Sequence, residues 1–140
     1  MPLACIAADV IIGSPGETEE LFMETHDFIN SLELSYLHVF TYSDRPEARA
    51  NKMGDKVHPS DKKSRSKRLH ELGEKKKRDF YKSNTGTDHV VLWEASNKNG
   101  YMTGLTDNYI PIFREYQEDI INTIEPVKLE KLNKEGEWTL

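Results

Sequence analysis

The sequence contains a single cysteine, Cys5, so the chain can form no internal disulfide and can supply no cluster of thiolates. No apolar run approaches the roughly 20 residues that a membrane-spanning helix needs. Residues 1–6 carry no basic segment ahead of their apolar stretch, which is not the pattern of a secretory signal peptide. These absences favour a reducing compartment, and we expect a cytoplasmic protein that contacts no membrane.

Apolar residues are scarce as well, because 36% of the chain is hydrophobic and 31% is charged. This balance predicts thin cores without being extreme enough for disorder. The net charge of −5 hides an asymmetry, since residues 56–82 carry eleven basic residues against four acids. A basic segment on an acidic protein is typical of a polyanion contact, but it also describes an ordinary solvated helix face.

The first 42 residues have the pattern of a strand, a helix and a second strand. Residues 6–12 are almost continuously apolar, which predicts a strand buried on both faces, and residues 13–16 end it with two glycines and a proline. Thr18 is a suitable N-cap, and residues 36–42 are rich in aromatic and β-branched side chains. Strand, helix, strand predicts a parallel pair whose other sheet neighbours are missing from the sequence. Helical spacing places one apolar face on Leu21, Phe22, Thr25, Phe28, Ile29 and Leu32.

The remaining residues predict a loop, a long helix and a small β-domain. Residues 43–57 lack a period, and a helix should open near residues 59–61 with a narrow apolar stripe. After Gly86 come five short β-leaning segments, which predict a small barrel of the oligonucleotide-binding type, and residues 97–100 (NKNG) predict a hairpin. We therefore expect two domains, 1–85 and 86–140. The stripe is Leu69, Leu72, the stem of Lys76, Phe80 and Tyr81, and the β-leaning segments are 89–93, 100–105, 108–113, 120–132 and 137–140.

Four segments resemble, in order, the radical S-adenosylmethionine (SAM) methylthiotransferases. Residues 8–18 (ADVIIGSPGET, followed by FI at 28–29) resemble the fifth strand of that family's barrel and the turn after it, and residues 35–46 (SYLHVFTYSDRP, followed by RA at 49–50) resemble the sixth strand and its exit loop. Residues 66–69 (SKRL) resemble part of its basic helix. Residues 100–110 (GYMTGLTDNYI) resemble its C-terminal TRAM domain, a small RNA-binding barrel.

The resemblance implies the last strands of a TIM-like radical SAM barrel, a long helix and a five-stranded TRAM barrel. The wording at residues 37–40 and 102–104 is most similar to the branch that 2-methylthiolates N6-threonylcarbamoyladenosine beside the tRNA anticodon; the isopentenyladenosine branch is the closest alternative. The chain departs from the family at Ser14, Thr41 and residues 47–48, which puts the local pocket shape in doubt. The larger departure is that the family's N-terminal domain and CxxxCxxC loop are absent.

The same resemblance implies SAM and two [4Fe–4S] clusters in the complete enzyme. Because one cysteine cannot hold such a cluster, we expect this chain alone to be inactive, to bind none of these cofactors, and to need the N-terminal part of the enzyme as a partner. Ligands of parallel α/β sheets lie beyond the carboxyl ends of the strands. The candidate cofactor residues are therefore Gly13, Pro15, Gly16, Glu17, Phe40, Tyr42 and Ser43.

Several of these candidates have a plainer interpretation. Residues 13–16 could form a tight turn with no ligand. We favour Glu17 as a charge that suits a helix start, and a core position is the more typical role for Phe40. The five histidines show neither metal-ligand spacing nor a paired carboxylate, so we expect no metal site.

For RNA, the expected partner is the tRNA anticodon stem-loop, bound by the basic helix and by barrel aromatics. A core position is the alternative for Tyr109 and for Trp93, and it is the safer prediction for Trp93. Many acids in residues 87–140 make that part a poor phosphate binder. The candidate RNA contacts are Lys67, Arg68, Lys75, Lys76, Lys77, Arg78, Tyr101 and Tyr109.

Two other functions remain open at this point. The chain could be a stand-alone RNA-binding module without catalysis, or a structural piece used in oligomerisation. Exposed strand edges could also pair two copies into a dimer or a swapped arrangement.

Overall fold

The computed structural model describes residues 3–133 and 136–140, which form two compact units. The β–α–β unit is Ile6–Lys77, and the sheet unit is Arg78–Leu140 together with the described residues that precede Ile6. Short 3₁₀ helices lie at Arg49–Lys52 and Glu118–Ile120. The helices and strands are β1 (Ala7–Ile12), α1 (Glu19–Ser31), β2 (Tyr36–Thr41), α2 (Pro59–Ser83), β3 (Asp88–Trp93), β4 (Tyr101–Thr106), β5 (Pro111–Glu115), β6 (Ile124–Lys128) and β7 (Trp138–Thr139).

The β–α–β unit contains the predicted parallel pair. Strands β1 and β2 pair in parallel from Ala7 opposite Tyr36 to Ile12 opposite Thr41. Thr18 caps α1, because its hydroxyl oxygen accepts a hydrogen bond from the Leu21 N–H at 3.3 Å. Both the pairing and the cap are confirmed. The core of this unit is Ile12, Phe22, Ile29, Leu37, Leu69 and Leu72.

The sheet of this unit is buried on one face only, which corrects two expectations. Strand β1 was predicted to be buried on both faces, yet Ile11 is 61% exposed. Phe40, for which a core position was the expected role, is 52% exposed. The physical reason is that α1 and α2 supply the buried face, while no described residue of this unit covers the other face. Part of the apolar face of α1 is exposed too, since Phe28 is 64% accessible.

Helix α2 begins at Pro59, where the sequence predicted a start. Its buried residues within the β–α–β unit are Arg65, Leu69, Leu72, Gly73 and Lys76, so the predicted stripe of Leu69, Leu72 and the Lys76 stem is confirmed. Arg65 was not expected inside.

The sheet unit has the strand order β6-β3-β4-β5-β7, in which every pairing is antiparallel except β5 with β7. The five predicted strands are confirmed. The predicted 120–132 segment is shorter than expected, because a 3₁₀ helix precedes β6. The core is Val91, Trp93, Met102, Ile110, Ile112, Val127, Leu129 and Trp138, with Phe80 and Tyr81 packed against it.

Two glycines of β4 and its hairpin are required by the local geometry. Gly104 crosses directly over Trp93, so a Cβ there would lie 2.6 Å from the indole ring. Asn99 and Gly100 have φ values of 54° and 85°, and Lys98 bridges Tyr101. Two central residues with positive φ are typical of a type I′ hairpin, which confirms the predicted turn.

Candidate functional site

The predicted cofactor residues lie in or beside two loops at one edge of the parallel pair, the first loop being residues 13–18 after β1 and the second residues 42–48 after β2. The carboxyl ends of β1 and β2 lie together because the strands run in the same direction. The Tyr42 N–H donates to the Ile12 carbonyl at 2.8 Å and extends the ladder by one residue. Gly13 and Gly16 have φ values of 77° and 85°, in the left-handed region that favours glycine.

The Glu17 carboxylate stabilises the turn formed by the first loop. Both of its carboxylate oxygens accept the Gly13 N–H, at 3.0 and 3.1 Å. Arg65 Nη1 donates to the same carboxylate at 2.7 Å and to the Glu17 backbone carbonyl at 3.0 Å. The Glu17 carboxylate is therefore engaged inside the chain as an anchor of the turn, and Arg65 fixes that anchor from α2.

The charges around this loop stabilise one another. Burial opposes the charge on Arg65, but hydrogen bonds to Glu17 and Glu19 and their negative charges outweigh it and raise the pKa of Arg65. The hydrogen bond from Arg68 is the main reason that the pKa of the Glu19 carboxyl is lowered; burial opposes this shift, and Arg65 adds to it. Arg65 is 5% exposed, so Arg65 and Glu17 form a largely buried ion pair with additional hydrogen bonds.

Lys62 joins the first loop to the second. A Cβ at Gly13 would lie 2.6 Å from Lys62 Cγ, which shows that the lysine stem fills the space beside this glycine. The Lys62 ammonium donates to the Tyr42 carbonyl at 3.1 Å and lies 5.2 Å from the centre of the Tyr42 ring. The Tyr42 hydroxyl is buried and has no hydrogen-bond partner among the described residues.

The structure thus brings three of the seven predicted cofactor residues together at one edge: a hydrogen bond joins Gly13 to Glu17, and Lys62 packs against Gly13 and donates to the Tyr42 carbonyl. Gly16 is exposed, and its N–H donates to the Asp55 carbonyl at 2.9 Å. Pro15 is half-buried, whereas Phe40 and Ser43 are exposed beside the end of β2.

Sequence reasoning missed Lys62 and Arg65. A signal for them was present, because positions 62, 65, 69, 72 and 76 continue one helical stripe. The pattern was missed because the stripe was defined by apolar residues alone, and Lys62 and Arg65 are charged.

The basic residues of α2 divide into inward and outward groups. Lys76 is 7% exposed, and its ammonium donates to the carbonyls of Asn30 at 3.2 Å and Leu32 at 2.7 Å, at the end of α1. These contacts turn the charge of Lys76 into the protein, which argues against the prediction that Lys76 contacts RNA. Arg68 donates to Glu19 at 2.5 Å and lies 4.7 Å from the Phe22 ring. The outward candidates are Lys67, Lys75, Lys77 and Arg78.

The predicted aromatic contacts in the sheet unit behave differently from one another. Trp93 is fully buried, as expected of a core residue, and its Nε1 donates to Glu125 at 2.9 Å. Tyr101 is 46% exposed and Tyr109 69% exposed, so the alternative of a core position for Tyr109 is wrong. Both tyrosines are therefore accessible.

A polar network lies next to Tyr109. His89 is 7% exposed; its Nδ1 donates to Asp107 at 2.7 Å, because a carboxylate can only accept, and its Nε2 lies 2.9 Å from the Thr87 hydroxyl. Asn108 Nδ2 donates to the Asn84 side-chain oxygen at 2.8 Å. The described residues contain no group of three His, Cys, Asp or Glu side chains that could hold a metal ion. Within the same residues, no helix is long and apolar enough to cross a membrane.

Comparison with known proteins shows which class of enzyme the chain is similar to. No family model matches the chain. It is 40% identical over 119 residues (85% of the chain) to the threonylcarbamoyladenosine tRNA methylthiotransferase of Aquifex aeolicus. It is 31% identical over 139 residues (94%) to the ribosomal protein uS12 methylthiotransferase of Alkaliphilus oremlandii, and 34% identical over 131 residues (91%) to the tRNA-2-methylthio-N(6)-dimethylallyladenosine synthase of Buchnera aphidicola.

The chain is therefore homologous to methylthiotransferases over most of its length. More particularly, its homologues are the radical SAM methylthiotransferases, which confirms the resemblance carried by the four sequence segments. The chain spans 28% of the length of the Aquifex protein, 32% of the Alkaliphilus protein and 29% of the Buchnera protein, which is consistent with the predicted C-terminal fragment.

Proposed function

We propose that this chain is the C-terminal part of a tRNA methylthiotransferase and that the complete enzyme 2-methylthiolates N6-threonylcarbamoyladenosine beside the anticodon. The observation that carries the proposal is the 40% identity to the Aquifex threonylcarbamoyladenosine enzyme over 85% of the chain. The dimethylallyladenosine branch, at 34% identity, is the alternative substrate class. Since the substrate is a tRNA, we place the protein in the cytoplasm.

In this proposal residues 1–85 complete a radical SAM barrel. The exposed face of the parallel pair supports it, because Ile11 and Phe40 present apolar side chains that a barrel's neighbouring elements would cover. Parallel sheets are normally buried on both faces, and this one is half covered. The missing cover is the N-terminal part of the enzyme. In its absence, the open strand edges would allow two copies to pair as a dimer or a swapped arrangement.

The residues at the carboxyl edge fit SAM in part. The exposed Phe40 and Ser43 and the unpartnered, buried Tyr42 hydroxyl are groups that a polar aromatic ligand could use. Gly13 and Glu17 are already engaged by Lys62 and Arg65, so their role is to fix the edge on which the ligand rests. When bound, SAM supplies the reacting groups; this chain binds and orients.

The iron–sulfur clusters do not fit this chain. A [4Fe–4S] cluster takes several thiolates, and the sequence has one cysteine. Both clusters must therefore be held by the rest of the enzyme, and the isolated chain has no activity of its own.

Residues 86–140 form the proposed TRAM domain, and with α2 they bind the anticodon stem-loop. The five-stranded sheet supports this, since small β-barrels bind nucleic acid through exposed aromatics, as Tyr101 and Tyr109 are. The outward lysines of α2 supply charge for the RNA backbone.

The experiment is a titration of the 140-residue chain against a fluorescein-labelled anticodon stem-loop, read by fluorescence anisotropy at several salt concentrations. We expect binding that weakens as salt rises. The double variant Lys75→Glu/Lys77→Glu should bind at least tenfold more weakly, whereas Lys52→Glu/Lys131→Glu, with the same charge change on other surfaces, should bind like the original. Equal losses in the two variants would exclude α2 as the contact.

A stand-alone RNA-binding module without catalysis is the second candidate, favoured by the single cysteine. Sequencing the gene upstream separates the two: a CxxxCxxC in the same reading frame supports the enzyme, and a stop codon directly ahead of Met1 refutes it.

A further inference from the structure

A cleft of about 410 Å³ opens in the sheet unit, beside the turn that joins β4 to β5. His89, Asp107, Asn108 and Tyr109 line it, with Asp88 and the Leu3–Cys5 segment at its edge. The volume is in the range of small-molecule sites and is ample for one flat heterocycle.

The turn beside the cleft is held rigidly. Asn108 is 8% exposed; its side-chain oxygen accepts from the Thr106 hydroxyl at 2.7 Å, and its Nδ2 donates to the Leu3 carbonyl at 2.9 Å. Tyr109 has a φ of 65°, a left-handed conformation that a tyrosine rarely adopts. Because Asn108 is buried and hydrogen-bonded on both sides of its amide, it holds the neighbouring Asp107 and Tyr109 in place on the exposed side of the turn. Such backbone outliers are often associated with function.

The groups that face the cleft select the chemistry of the ligand. Asp107 and Asp88 are exposed carboxylates that can only accept hydrogen bonds, so they repel phosphate and require a donor. His89 engages Oδ1 of Asp107 at 2.7 Å, while Oδ2 receives no hydrogen bond from the described residues. The Tyr109 ring, 69% exposed, offers a face on which a flat heterocycle can stack.

We propose that this cleft binds one unstacked RNA base through its amino group, with Tyr109 as the stacking surface and Asp107 as the hydrogen-bond acceptor, and that guanine is preferred. The inference rests on the proposed RNA binding and adds the class of nucleotide that is recognised. Guanine presents adjacent N1–H and N2–H₂ donors on its Watson–Crick edge, and adenine and cytosine present one amino group each. Uracil has no amino group, and its single N3–H donor lies between two carbonyl oxygens that the carboxylates repel.

The test compares labelled RNA heptamers that differ at the central base: U₃GU₃, U₃AU₃, U₃CU₃ and U₇. Each is titrated into the 140-residue chain at low salt with anisotropy as the readout. We expect U₃GU₃ to bind about fivefold or more tightly than U₇, with the adenine and cytosine heptamers between them.

Two variants examine the assigned residues. Asp107→Asn should remove the preference for U₃GU₃ over U₇, and Tyr109→Ala should weaken U₃GU₃ binding about fivefold or more. Tyr116→Ala is the matched control, since it removes another exposed tyrosine of the same unit and should change neither affinity. Thermal melting of each variant shows whether the fold is retained, and the base preference of the original chain needs no variant at all.

The outcomes separate this inference from the function on which it rests. If neither the heptamers nor the anticodon stem-loop bind at low salt, the RNA-binding proposal is wrong, and the cleft proposal with it. If the stem-loop binds but the four heptamers bind equally, RNA binding stands and the cleft assignment is overturned.

Discussion

Replacing Arg65 with methionine should destabilise the β–α–β unit more than replacing any exposed or half-buried cation of α2. Arg65→Met keeps the long apolar stem but removes three hydrogen bonds, two to Glu17 and one to Glu19. The bond to Glu19 contributes little, because that carboxylate is 53% exposed. The Glu17 side chain is 18% exposed, and there the loss is large.

The size of the destabilisation follows from the contacts that Glu17 keeps after the substitution. Removing one partner of a fully buried ion pair costs about 3–5 kcal/mol, and losing one hydrogen bond to a charged group about 1.5–3 kcal/mol. After the substitution the Glu17 carboxylate still accepts the Gly13 N–H and reaches some water, while its backbone carbonyl loses the guanidinium. We therefore expect a loss of about 2–4 kcal/mol in the free energy of unfolding.

The assay is urea unfolding followed by two signals. Far-UV circular dichroism follows the helices, and tryptophan fluorescence follows the sheet unit, because Trp93 and Trp138 are both buried there. We expect the helical transition to move to lower urea. Arg68→Met is the control, and since Arg68 is 34% exposed its loss should be within about 1 kcal/mol.

A double-mutant cycle sharpens the test. Once Glu17→Gln has removed the negative charge, Arg65→Met should cost about 1–3 kcal/mol less than it does in the original chain. Equal destabilisation by Arg65→Met and Arg68→Met, or simple additivity of the Arg65 and Glu17 changes, would refute the assignment of Arg65 as the anchor of the first loop.

Three further changes test other parts of the structure. The pKa of Glu19 is lowered from 4.5, mainly by Arg68, so its contribution to stability is present above about pH 4.5 and is lost as pH falls below that value; Glu19→Gln should flatten the fall in the urea midpoint between pH 5 and pH 3, and an unchanged slope would contradict this. Gly104→Ala places a methyl group 2.6 Å from the Trp93 ring and should destabilise the sheet unit by about 1–3 kcal/mol, measured by tryptophan fluorescence. Lys76→Met should cost about 1–3 kcal/mol of stability yet leave the affinity for the anticodon stem-loop unchanged, because its ammonium binds carbonyls within the protein; a tenfold loss of RNA affinity in a folded variant would restore it as a contact.

The elements that depend on local chemistry could be predicted from the sequence. Thr18 capped its helix as expected, because a cap needs only a hydroxyl and the next turn. Asn99 and Gly100 formed the hairpin because few other residue pairs tolerate two positive φ values. The parallel pair followed from strand, helix and strand in succession.

The roles of the charged residues could not be predicted in the same way. Arg65 meets Glu17 across 48 positions of sequence, and Lys76 meets Asn30 across 46. Whether a cation turns inward depends on such distant partners, so the sequence predicted burial only for the stem of Lys76 and gave Arg65 no inward role. The prediction of a core position for Phe40 is wrong because its burial would need neighbours that the described chain does not contain.

Because some cations of the basic segment turn inward, fewer of its charges can neutralise RNA phosphates. Lys62, Arg65, Arg68 and Lys76 are half-buried or buried within the chain, which leaves seven exposed cations in residues 56–82 against four exposed acids. For single strands the slope of log affinity against log salt is about −0.7 for each phosphate neutralised. Three net exposed charges therefore predict a slope of about −2 for the heptamers, where the seven net charges of residues 56–82 would have predicted about −5. A measured slope near −5 would contradict the inward placement of these cations. A shallow slope with useful affinity would mean that stacking and base contacts, such as those at Tyr109 and Asp107, supply most of the binding energy.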